Sequence, residues 1–187
     1  MSLPKSYLTS TKRLPEILEA IQSAQAPDAF TTRFLEQLGF KSKGDRLIIG
    51  VLKDLGFLEE SGTPKQRYYQ FLDQSHSGTV LAEGIREAWA DLFAININAH
   101  QMAKTDFSGK LKTISQGQLT DRVIDQHYMT FSALVKNADF TSHTPKGKPA
   151  DIPKVDKPKE EASKSDKEVP GIPPEVGAKI GGLVNNI

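Results

Sequence analysis

Apolar residues recur along this chain with helical spacing. Leu14, Ile17, Leu18 and Ile21 fall at i, i+3, i+4 and i+7, one face of a helix. Pro15 suits its first turn, where a missing N–H costs nothing. The pattern stops before Ala26-Pro27, since a residue preceding proline avoids the α region. A short second segment carries Phe34, Leu35 and Leu38, with Gly39 placed as its C-terminal cap. Ser42-Lys43-Gly44-Asp45 is a capping signature, in which Ser42 caps a third helix and the Asp45 carboxylate sits in its positive first turn. Ile48, Val51, Leu52 and Leu55 continue that helix and Gly56 ends it.

Phe57 to Gly62 predicts a short strand and turn. Residues 63–72 admit two readings. Thr63-Pro64 starts a helix with Tyr68, Phe71 and Leu72 on its inner face, or Arg67 to Leu72 is the return strand of a β-wing. The start signal tips the balance to helix. Val80 to Phe93 is the clearest helix, with Leu81, Ile85, Ala88 and Leu92 as its stripe and Trp89 beside it. A short helix is expected around Phe107 to Leu111. Thr120 caps a last long helix bearing Val123, Ile124, His127 or Tyr128, Phe131, Leu134 and Val135, and Asn137 to Phe140 closes the body.

The pattern then changes. All 14 aromatic residues lie at or before Phe140, while seven of the 11 prolines lie after it. Residues 141–170, including Lys154 to Glu161, mix charges without apolar periodicity and predict a disordered linker. The last 15 residues differ again: Val176, Ile180, Leu183, Val184 and Ile187 share one helical face. Three glycines weaken that helix, so the segment is either a partner-binding peptide or a frayed end.

The body also repeats itself. Phe34-x-x-x-Leu38 matches Phe107-x-x-x-Leu111, and Asp45-Arg46-Leu47-Ile48 matches Asp121-Arg122-Val123-Ile124. The fold class expected is mainly α, built from tandem tri-helical units that resemble a winged helix-turn-helix, with little β structure. The division predicted is a first winged-helix-like unit over 1–75 and a second helical unit over 76–140 packed on it. A disordered linker over 141–170 and a short apolar peptide over 171–187 follow.

Composition narrows the function classes. The absence of cysteine excludes a disulfide scaffold, a thiolate zinc site and a cysteine nucleophile. The longest apolar run, Leu47 to Leu52, is far short of the roughly 20 residues of a membrane span. No secretory leader is evident at Met1 to Ser6, so a cytoplasmic location is expected. The body balances 16 cations against 16 acids, and the tail 8 lysines against 7 acids.

Several segments together carry a family resemblance. They are Leu3-Pro4 with Tyr7-x-Thr9, and Phe30-Thr31 with Phe34-Leu35-Glu36-x-Leu38-Gly39-Phe40. Asp45-Arg46, Leu52-Lys53-x-Leu55-Gly56-Phe57-Leu58, Arg67-Tyr68-x-x-Phe71, Val80-Leu81-Ala82 and Ala138-Asp139-Phe140 complete the set. Over residues 3–140 the chain resembles the prokaryotic domain-of-unknown-function family 5343. The resemblance implies a cytoplasmic, mostly helical, winged-helix-like domain. It implies no reaction, because the family brings no assigned catalytic residues. The tail lies outside it.

No nucleotide-binding or nucleophile-elbow motif is present. The four histidines, His76, His100, His127 and His143, have no metal-ligand spacing. His127 reads as a hydrogen-bonded core residue. Asp121 and Asp125 lie one turn apart, but their place at a helix N-terminus explains them more simply than a metal does. The expectation is a non-catalytic module without metal, cofactor or an evident small-molecule ligand. The leading expectation is nucleic-acid binding or regulation, with Lys41, Lys43, Arg46, Lys53, Lys65 and Arg67, around the third helix and the region after it, as the candidate cations. The charge balance argues against that footprint. Otherwise it is a protein-interaction or dimerisation adaptor, with Trp89, Phe93, Ile95 and Ile97 as a possible patch and the C-terminal peptide as a second element.

Overall fold

A computed structural model of the chain describes residues 3–141. The amphipathic segments form helices: α1 (Leu14–Ser23), α2 (Thr32–Gln37), α3 (Ile48–Asp54), α4 (Gln66–Leu72), α5 (Ser77–Ala88), α6 (Ala90–Ile95), α7 (Lys104–Ile114) and α8 (Asp121–Lys136). Short 3-10 turns at Asp45–Leu47 and Ala99–Gln101 precede α3 and α7. Among the described residues the only β pairing outside helices is one isolated bridge, Leu58 to Pro64. The protein is mainly α. The expectations for residues 142–187, including Val176, Ile180, Leu183, Val184 and Ile187, lie outside the described residues.

Local chemistry explains the boundaries. Leu14, Ile17, Leu18 and Ile21 are all buried on α1, as their spacing requires. Thr31 Oγ1 accepts the Phe34 N–H at 3.3 Å and starts α2. Thr120 does the same for α8, accepting from Val123. The Ser42–Asp45 box forms in both directions: Ser42 Oγ accepts the Asp45 N–H at 3.1 Å, and Asp45 Oδ2 accepts the Ser42 N–H at 3.2 Å. It opens a 3-10 turn, however, and α3 begins only at Ile48. Asp45 does not pair with its neighbour Arg46. It is 9% exposed and pairs with Arg13 at 2.9 Å, while the Arg13 guanidinium also lies over the Phe40 ring.

Three expectations are corrected. Residues 66–72 form α4, the favoured helix, so the alternative return strand is absent; what is corrected is the expected strand after α3, reduced to the single bridge. The segment from Val80 to Phe93 is not one helix. It starts earlier, at Ser77, and breaks at Trp89, whose backbone leaves the helical region. The break lets Trp89 turn inward, buried edge-on against Phe131 at 5.2 Å, while Leu92 also reaches the core. Third, the helix expected near Phe107 to Leu111 extends from Lys104 to Ile114.

One hydrophobic cluster runs from Leu8 to Leu134 and takes residues from both predicted units. The α5 helix makes a close approach to the end of α3. A Cβ on Gly84 would stand 2.9 Å from the Leu55 carbonyl oxygen and 3.2 Å from the Phe57 ring. Phe57 meets Phe71 edge-on at 5.2 Å in the same region. On the far side, α7 is joined to α8 by Lys104–Asp125 at 2.9 Å and Lys112–Asp121 at 2.6 Å.

Candidate functional site

The six candidate cations fall into two groups. Arg67 is 17% exposed on its side chain and acts within the fold. Its Nη1 donates to the Leu55 carbonyl at 2.8 Å and its Nη2 pairs with Glu87. Arg46 pairs with Glu36 at 3.0 Å on the surface. Lys53 Nζ donates to the Glu60 carbonyl at 2.6 Å, across the turn after α3. Lys41, Lys43 and Lys65 are exposed. Lys65 precedes α4, and its backbone N–H donates to the Phe57 carbonyl.

The outer face of α3 is partly covered by the N-terminal segment. Ser6 donates its N–H to Asp54 Oδ2 at 2.6 Å. A Cβ on Gly50 would lie 2.6 Å from Ser6 Oγ, so the glycine lets the segment seat against the helix. Two residues on, Leu8 donates its N–H to Thr130 Oγ1 at 2.8 Å. Tyr7 meets the His127 ring edge-on at 5.2 Å. Residues 6–8 therefore strap α3 to α8. Of the predicted outward positions on α3, Ile49 and Gly50 are half-buried.

A second surface lies at α6. Trp89 belongs to the core, but Ile95 is 52% and Ile97 66% exposed. Residues 92–103 contain no Asp, Glu, Lys or Arg. Phe93 and His100 stack beneath this turn with Phe140, the His100 and Phe140 rings lying 4.4 Å apart and nearly parallel. The Arg86 guanidinium lies over both phenylalanine rings. Burial, with Arg86 nearby, lowers the His100 pKa, so the ring is neutral at neutral pH.

A third feature is a cleft of about 380 Å³ between the N-terminal segment and α8. Leu3, Pro4, Lys5 and Tyr7 form one wall, and Val123 and His127 the other; residues of the α7–α8 turn close the end. The sequence pattern contains no sign of it, because residues 3–7 have no periodicity. His127 is in the core, as its place on the helical stripe requires. The hydrogen bond expected for it is absent at Nδ1, which is buried with no partner among the described residues. Burial lowers its pKa, and the Asp54 carboxylate opposes this less strongly.

Asp121 and Asp125, the one-turn acidic pair, each bind a lysine of α7 as described above. Among the described residues no three or more metal-ligating side chains come together. No helix there is long and apolar enough to cross a membrane.

Neither curated proteins nor solved structures include a match to this chain. Residues 6–145, 140 of the 187, match a family of unknown function. They span the strap, all eight helices and the stacked cluster at Phe140, and the chain belongs to that family, DUF5343.

Proposed function

We propose that this protein is a non-catalytic interaction module that pairs with a second copy of itself through the α6 turn. The observation that carries this reading is the charge-free stretch 92–103 with Ile95 and Ile97 exposed on it. Interface cores are depleted of charge and rich in large apolar side chains. Isolated exposed apolar residues are ordinary, but here two stand on one uncharged turn beside the stacked rings of Phe93, His100 and Phe140. The balanced charge of the body leaves no net repulsion between copies.

Light scattering over a range of protein concentrations tests this. The intact chain is expected to move from the mass of one copy toward two as concentration rises. The double variant Ile95→Ser, Ile97→Ser is expected to stay at one copy with an unchanged melting temperature. A single-copy mass for the intact chain at every concentration overturns the reading.

A nucleic-acid-binding, winged-helix-like role is the second reading. Lys41 and Lys43 favour it, since both are exposed beside the turn that leads into α3. The surface pairs of Arg46 and Lys53 are weak enough to be exchanged for phosphate contacts. Against it stand the covered face of α3 and the structural use of Arg67. Titration of a short duplex at about 50 mM salt distinguishes the two, because phosphate-driven binding is strongest there. Loss of binding in Lys41→Glu, Lys43→Glu would favour this reading; no binding by the intact chain removes it. A cytoplasmic setting suits either role.

A further inference from the structure

We propose that the cleft beneath the N-terminal segment binds a small organic acid with an apolar body. Its volume of about 380 Å³ lies within the roughly 300–1,000 Å³ of small-molecule sites. Leu3, Pro4, Leu119 and Val123 offer apolar walls, and Lys5 is the only charged residue among the lining side chains. An anion finds a cation there, and Asp54, the carboxylate that acts on His127, is not among the lining residues. Lys5 is exposed as well as lining the cleft, so a ligand carboxylate would pair with it on the solvent side.

The walls also show one irregularity that the packing of the body does not explain. His127 is 3% exposed, yet its Nδ1 has no partner among the described residues. Buried polar atoms left unpaired are costly; of the five residues that carry one among the described residues, only His127 lines this cleft. The turn that closes the cleft is an ordinary C-terminal cap of α7: Gln116 takes the left-handed conformation at φ 52°, its N–H donates to the Thr113 carbonyl at 3.1 Å, and the Gly117 N–H donates to the Lys112 carbonyl at 3.0 Å. The strap forms one wall, so a bound acid would touch the segment that ties α3 to α8.

Octanoate is the probe, followed by NMR titration of the full chain with the His127 ring protons as reporter. Octanol and octylammonium serve as neutral and cationic comparisons. Octanoate is expected to shift the His127 signals in a saturable, one-site manner, with octanol about tenfold weaker and octylammonium weaker still. Lys5→Gln should bring octanoate down to the level of octanol and leave octanol unchanged. Val123→Trp should fill the cleft and abolish binding of both. If that variant does not fold, Leu119→Glu places a repelling carboxylate at the same wall and should abolish octanoate binding. Absence of a saturable His127 shift in the millimolar range overturns the proposal. Equal affinity for octanoate and octanol overturns its acid specificity.

Discussion

Leu8 and Thr130 are 122 positions apart in sequence, yet the Leu8 amide donates to Thr130 Oγ1 at 2.8 Å in the buried interior. The same hydroxyl donates to the Gln126 carbonyl at 2.8 Å, one turn back in α8. One side chain thus satisfies the N-terminal segment and a helix together. Thr130→Val keeps the shape and removes both bonds, leaving the Leu8 N–H buried without an acceptor. Such a loss costs about 1–3 kcal/mol. Urea unfolding should show it, and the Leu8 amide should exchange faster. A loss below about 0.5 kcal/mol would mean that the strap is not held at this point.

Two glycines in helices should respond oppositely to alanine. At Gly84 a Cβ would meet the Leu55 carbonyl at 2.9 Å, so α5 must move off the end of α3. We expect Gly84→Ala to destabilise by about 1–3 kcal/mol despite the better helix propensity of alanine. At Gly109, on the exposed side of α7, nothing lies within 4 Å of the added carbon. Gly109→Ala should stabilise by about 0.5–1 kcal/mol. Thermal melts of the two variants give the comparison.

Arg67 and Arg46 look alike in sequence and should behave differently. Arg67→Ala removes a donor from the Leu55 carbonyl and buried stem packing, at a cost of about 1–3 kcal/mol. Arg46→Ala breaks an exposed pair with Glu36 and should change stability by less than about 0.5 kcal/mol. Equal effects in urea unfolding would contradict the structural role given to Arg67.

Much of the fold was legible from spacing alone. The faces of α1, α3 and α8 follow the helical period, and the Ser42–Asp45 box and the Thr120 cap are local chemistry that needs no tertiary partner. What escaped the pattern depends on distant residues. Trp89 breaks a continuous helical stripe because its ring is wanted against Phe131, and periodicity does not register that demand. Asp45 turns to Arg13 rather than Arg46, a choice set by the packing of α1. The strap is invisible because Leu3 to Leu8 has no period and its partners, Asp54 and Thr130, lie on separate helices. The cation set was chosen by residue type, and tertiary contacts then committed Arg67 to the fold. The α6 patch was half legible: Ile95 and Ile97 are exposed as one option required, and Trp89 is core as the other did.

Stability should fall with acid through His127. Burial holds its folded pKa below the ordinary value, while the unfolded chain titrates near about 6.5. The unfolded state therefore binds more protons below that pH. Stability is full above about pH 6.5 and is lost as pH falls toward the folded value. His100 shifts in the same direction, so His127→Leu should reduce the acid slope without abolishing it. Urea midpoints measured from neutral to mildly acidic pH give both slopes. An unchanged slope in the variant would show that His127 is not held neutral by burial.

Residues 92–103 are proposed as the contact surface between copies. Hydrogen exchange of the intact chain at low and high protein concentration tests this most directly. Slower exchange is expected at high concentration, confined to 92–103 and lost in Ile95→Ser, Ile97→Ser. Identical exchange at both concentrations, or protection that appears at residues 41–53 instead, would contradict it.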